Sequence, residues 1–232
     1  MGSVQSITAS DGFVLPAYVA RPTGAPKGAI VVLQEIFGVN SHIQAVTDAY
    51  AAQDYLAVAP STFHRIKAGV NLGYAADDVS IGKDLKAAAE AIQPQVMLDV
   101  QATVDFALKQ LPVGKKVGVV GYCWGGLLTW RAACLVKGIS AAVPYYGAGM
   151  TVGAEITRQP HCSVMVHFGN QDASIPMETV DAFTSSQSTI KVMIYAANHG
   201  FNCDQRAAFN ASAAELALKR TLEFFTINLV AS

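Results

Sequence analysis

Three side chains in this sequence have the types and the chain order of a nucleophile, an acid and a base. Cys123 sits in Gly121-Tyr122-Cys123-Trp124-Gly125-Gly126, a small-residue turn behind the apolar run Val117 to Val120. Asp172 closes Phe168-Gly169-Asn170-Gln171-Asp172, and His199 lies in Asn198-His199-Gly200-Phe201. A thiol is a weak nucleophile until it loses its proton. His199 can take that proton and later return it, and a carboxylate at Asp172 would hold the imidazole in one tautomer and stabilise its charged form. A fourth group, Glu35, directly follows the strand-like run Ile30 to Gln34. A carboxylate so near a cysteine can hold or remove its proton. The chemistry open to this set is thiolate attack on an acyl carbon, through a thioester.

Each residue taken alone has a plainer explanation. Gly-rich strand-to-helix turns occur in many nucleotide-binding folds, Asp172 is placed to cap a following helix, a loop histidine is usually solvated, and Glu35 reads as a surface carboxylate. Their joint position decides the matter, because each follows a stretch that reads as a strand.

Those stretches come from the apolar patterning. Val4 to Thr8 and Phe13 to Val19, around Ser10-Asp11-Gly12, read as an opening hairpin. Gly28 to Gln34 is a strand buried on both faces, and Asn40 and Ser41 cap a helix to about Gln53. Tyr55 to Ala59 is a second buried strand ended by Pro60, and residues 61–76 read as a long loop. Val96, Val100, Val104 and Ala107 recur at helical spacing in a segment from near Asp78 to near Gln110, which Pro94 kinks or divides. Then come the Val117 strand, a helix from Trp124 to about Lys137, strands at Ser140 to Tyr145, Ser163 to Phe168 and Ile190 to Tyr195, and a last helix from about Asp204 to Leu229.

This alternation implies an α/β fold, a mostly parallel central sheet with helices on both faces, whose ligands gather beyond the carboxyl ends of the strands. The order nucleophile, acid, histidine is that of the α/β-hydrolase fold, and Gly-x-Cys-x-Gly fits its strand-to-helix nucleophile elbow with a thiol in place of the hydroxyl. One such domain over 1–232 is expected, since 232 residues with 52% hydrophobic side chains can bury a substantial core.

Charged residues are 14% of the chain and the formal net charge is −1, which argues against a nucleic-acid or anionic-membrane partner. The N-terminus lacks the basic flank and apolar core of a signal peptide and no apolar run reaches a membrane span, so the expectation is a cytoplasmic protein, monomeric or a small homo-oligomer. Cys123, Cys134, Cys162 and Cys203 are scattered without zinc-ligand spacing, so no metal is expected.

The segments QEIFGVN, GYCWGG, HFGNQD and NHGF, in this order and spacing, closely resemble the dienelactone hydrolase family, also called carboxymethylenebutenolidases. The resemblance spans nearly the whole chain. It implies an eight-stranded-type sheet, no metal or organic cofactor, and hydrolysis of a small lactone or ester by Cys123 as nucleophile, His199 as base and Asp172 as its orienter. By the same matching, Glu35 pairs with the thiol and takes its proton when substrate arrives. The backbone amides of Ile36 and Trp124 would form the oxyanion hole. Activity is expected to fall at low pH as Glu35 and His199 protonate.

The sequence departs from this pattern at the substrate. Family members best known for dienelactone grip its carboxylate with two arginines, one after the second buried strand and one four residues past the histidine, where this chain has Cys203. The nearest arginines are Arg65 and Arg206. Either they reach the pocket from shifted positions or the substrate carries no carboxylate, because lysine does not copy the bidentate grip of arginine. Phe37, Tyr74, Trp124, Tyr145, Tyr146 and Phe201 are candidates to line an apolar pocket. A thiol acyltransferase or peptidase, a non-catalytic binding protein on the same fold, and a redox-sensing thiol are the rival readings.

Overall fold

A computed structural model describes residues 2–230. Strands β1 (Ser3–Thr8) and β2 (Val14–Ala20) form the antiparallel hairpin expected around Gly12. The next strands, β3 (Ala29–Leu33), β4 (Leu56–Pro60) and β5 (Val117–Tyr122), are buried at every residue. That burial is why their sequences read as unbroken apolar runs. Strands β6 (Ile139–Tyr145), β7 (Ser163–Gly169) and β8 (Lys191–Tyr195) complete an eight-stranded sheet in the order β1-β2-β4-β3-β5-β6-β7-β8. β2 is antiparallel to β4, and every pair from β4 to β8 is parallel.

Parallel neighbours need crossovers, and the helices supply them. Helices α1 (Ser41–Ala51) and α6 (Ala211–Leu229) share one face, where Tyr50 meets Phe225 edge to face. The other face carries α3 (Gln93–Lys109), α4 (Trp124–Leu135) and α5 (Met177–Ser186), with Trp130 of α4 against Phe183 of α5. Helix α2 (Ala76–Ala91) precedes α3.

Several boundaries differ from the sequence reading. The long helical segment is two helices, broken at Ile92, with Pro94 in the first turn of α3, where its missing N–H costs nothing. Helix α6 begins at Ala211, not near Asp204, because the Asn210 side chain accepts from the Ala213 N–H and caps it there. Helix α4 stops at Leu135, two residues short of Lys137. Helix α5 entered the sequence reading only as the helix after Asp172, without bounds, and a 3₁₀ turn at Gly153–Thr157 had no counterpart there.

The chain runs from β3 to β4 on one side and then to β5 on the other. The carboxyl ends of β3 and β5 therefore flank a crevice where the strand order reverses, the place such sheets reserve for ligands.

Candidate active site

Cys123 follows β5 and adopts φ 56°, ψ −117°, a conformation a non-glycine residue rarely takes. The surrounding glycines make this turn possible. A Cβ on Gly121 would lie 2.2 Å from the Gly125 carbonyl oxygen, and one on Gly125 would lie 2.2 Å from that of Leu33, at the end of β3. Without side chains at these positions, α4 starts directly against the sheet and lifts the thiol above it. Glu90 braces the turn from α2, accepting from Trp124 Nε1 at 2.7 Å and from Arg131 Nη1 at 2.9 Å.

His199, in the turn after β8, places Nε2 3.1 Å from Cys123 Sγ and Nδ1 2.7 Å from Asp172 Oδ2. Asp172, after β7, is fixed through its other oxygen, which accepts from the Ser174 N–H at 2.8 Å. Its carboxylate is thus shared between His199 and the Ser174 N–H and does not cap α5, which starts at Met177. Burial disfavours the His199 imidazolium, but the charge of an ionised Cys123 and the Asp172 hydrogen bond override it and carry His199 up to about 10. The imidazole is therefore held in its charged form. Cys123 and His199 are both partly exposed.

Glu35 comes from the turn after β3, the strand beside β5, and is fully buried. Its resting partners differ from the expected thiol. Oε1 accepts from Arg206 Nη1 at 3.0 Å and Oε2 from the Tyr74 hydroxyl at 3.3 Å. A guanidinium stabilises a buried carboxylate more than a thiol can. Burial opposes the Arg206 charge, and Glu35 nevertheless raises its pKa. Asn40, read from sequence only as a cap, also donates to the Tyr74 hydroxyl at 3.1 Å and ties the long loop to α1.

Trp124 is the first residue of α4, so its N–H has no carbonyl one turn earlier to bond. Ile36 lies in the turn after β3, held by close approach of Gly82 on α2, where an added Cβ would come 2.5 Å from the Ile36 carbonyl oxygen. Of the six aromatics, Phe37 meets Tyr74 edge to face at 4.6 Å and Tyr146 meets His199 at 5.2 Å. Trp124 instead stacks on Phe63, and Tyr145 bonds Thr221 in the core.

Residues 15–229 match the Dienelactone hydrolase family. The chain belongs to that family. A carboxymethylenebutenolidase from Pseudomonas putida is 32% identical, with 94% of this chain and 94% of the relative covered. A Synechocystis protein provisionally named carboxymethylenebutenolidase is 34% identical, with 93% and 92% covered. A crystal structure of a Klebsiella pneumoniae protein, provisionally described as a dienelactone hydrolase, superposes with a TM-score of 0.85 at 29% identity, covering 97% of this chain and 98% of that one. The fold is that of the α/β-hydrolases, and the chain is a hydrolase of the carboxylic ester and lactone class.

Against that family, the two shifted arginines part company. Arg206 is in the site, because turns from Gly200 to Cys203 and Cys203 to Arg206 fold the chain back, and Gly200 leaves room for the guanidinium. Arg65 is not a substrate contact. Its nitrogens donate to Asp99 at 2.7 and 2.9 Å and to Asp11 at 2.8 and 3.0 Å, and its guanidinium lies over Phe13. The buried Asp99 carboxylate outcompetes any solvent-side role for it. Cys203, at the family's second arginine position, is fully buried. No helix among the described residues is long and apolar enough to cross a membrane.

Proposed function

We propose that this protein hydrolyses a small lactone or ester through a thioester on Cys123. The single observation that carries the reading is the unbroken chain Cys123 Sγ, His199, Asp172, with links of 3.1 and 2.7 Å. The thiolate attacks the acyl carbon, and the carbonyl π electrons move onto oxygen, where the Trp124 and Ile36 amides would stabilise the charge. Collapse expels the alkoxide or enolate, which takes the proton from His199. Neutral His199 then removes a proton from water as it attacks the thioester, and collapse of the second tetrahedral intermediate breaks the C–S bond, releasing the acid and the Cys123 thiolate beside a reprotonated His199. Asp172 holds the imidazole in the tautomer this sequence needs.

Glu35 is the second base in this scheme. A substrate group that engages Arg206 releases Glu35, which then keeps the thiol ionised during attack. With Arg65 committed elsewhere and Arg206 neutralised by Glu35, the site offers one guanidinium to an acidic substrate where the family's dienelactone members offer two. Neutral or singly charged lactones are therefore favoured.

Steady-state kinetics on a carboxylate-bearing enol lactone, its methyl ester and an aryl acetate test the scheme. Hydrolysis of at least one is expected, with kcat reduced at least ~10⁴-fold in Cys123→Ala. Turnover that survives this substitution, or transfer to an added amine in preference to water, would replace the reading with another.

A further inference from the structure

Glu35 also belongs to a second cluster, whose other members, His42 and Cys203, take no part in the hydrolysis. Potential ligand atoms of Glu35, His42 and Cys203 all lie within 4.8 Å of one another, and all three residues are buried. His42, near the start of α1, places Nδ1 3.2 Å from Asp204 Oδ1. An aspartate there fixes the proton on Nδ1 and leaves Nε2 as a lone-pair donor. That Nε2 is buried and has no hydrogen-bond partner among the described residues. An orphaned buried nitrogen is costly, and in a carboxylate–histidine pair it has the form of a metal ligand waiting for its ion.

We propose that Glu35, His42 and Cys203 bind one zinc-type divalent cation at a site separate from the Cys123 nucleophile. Thiolate, imidazole and carboxylate together are a donor set suited to zinc, with water as fourth ligand. Tetrahedral zinc holds such ligand atoms roughly 3.3–3.8 Å apart, from bond lengths of about 2.0–2.3 Å, so small rotamer shifts close the cluster. Charge also balances. The two charges of the ion and that of Arg206 meet Glu35, Asp204 and an ionised Cys203. In the metal-free protein, burial and then Glu35 push the Cys203 thiol up to about 11, so binding displaces a proton from Sγ to the buffer. Asp204 is largely exposed and marks the solvent side of the cluster. An ion here claims Glu35 and so inhibits hydrolysis. That consequence rests on the role proposed for Glu35, whereas binding itself does not.

Reduced, metal-free Cys123→Ala protein, which lacks the nucleophile as a competing ligand, is titrated with Co²⁺ and then with Zn²⁺. One equivalent of Co²⁺ is expected, with intense thiolate-to-cobalt absorption, about one proton released, and displacement by one equivalent of Zn²⁺. The absorption disappears on adding Cys203→Ser, and affinity falls at least 10-fold with His42→Gln. Asp204→Asn, an exposed change that leaves the core intact, lowers affinity about 10–100-fold. In the unmodified enzyme Zn²⁺ suppresses turnover, a chelator restores it, and Asp204→Asn shifts the inhibitory concentration by the same factor as the affinity. Absence of tight stoichiometric binding in Cys123→Ala overturns the site, as does affinity unchanged by both Cys203→Ser and Asp204→Asn.

Discussion

At the scale of single residues, the site is a set of neighbouring charges, and His199 reports on them most directly. Its proton is held by Cys123 and Asp172 against the cost of burial, so it leaves only as pH rises through about 10. The stabilisation that comes from this proton is complete below the ordinary imidazole value of 6.5 and is lost as pH rises through about 10. A histidine-selective NMR titration should show one imidazole titrating near 10, and the same resonance should titrate well lower in Cys123→Ala. The imidazole thus governs the alkaline side of the rate profile. His199 already carries its proton well above neutral pH, so its protonation does not contribute to a loss of activity in acid, which narrows the earlier expectation.

Glu35 and Arg206 form the other pair. Replacing Glu35 by Gln keeps the shape and removes the charge, and kcat should fall about 10²–10⁴-fold if Glu35 acts as a base. A fall in kcat below tenfold would leave Glu35 as only an anchor for Arg206. The four candidate residues could be picked out in the sequence because each lies within a few residues of the end of an apolar run. What stayed hidden was their pairing. Whether Glu35 faces the thiol or a guanidinium depends on the fold of residues 200–206, where no periodic pattern exists to read.

At the scale of elements, the elbow stores strain between β5 and α4. Cys123 occupies positive φ, which costs a non-glycine residue of order 1–3 kcal/mol. Cys123→Gly should therefore be more stable than Cys123→Ala by about 1 kcal/mol or more, as read by urea denaturation, although glycine usually destabilises relative to alanine. The opposite order would mean that the turn is relaxed. Gly125→Ala should lose about 1–3 kcal/mol, since its Cβ collides with the backbone of β3, and should lose activity as Trp124 moves. Strands β3, β4 and β5 were readable because burial on both faces leaves no polar residues in them. Helix α5 received no bounds from the pattern because its ten residues bury only Val180 and Phe183. The start of α6 was misplaced because Asn210, and not the polar run before it, supplies the cap.

At the scale of the molecule, Arg65 shows how a residue of the right type can serve another purpose. It joins the β1–β2 turn, through Asp11, to α3, through Asp99. Arg65→Met should leave Asp99 buried and unpaired and cost about 3–5 kcal/mol of stability, with KM for a carboxylate-bearing lactone nearly unchanged. A large rise in KM with stability intact would return Arg65 to the pocket. Sequence distance cannot separate these roles, because Asp99 lies on a different element and its approach depends on the packing of α3 against the sheet.

All of these contacts serve one chemical event, acylation of Cys123. Intact and peptide mass spectrometry after rapid quenching with a slowly hydrolysed lactone tests it. The predicted result is a transient adduct equal to the full mass of the lactone, on the peptide containing Cys123, removed by hydroxylamine and absent from Cys123→Ala. Turnover of the same lactone with no adduct on Cys123, or with an adduct on another side chain, would contradict it.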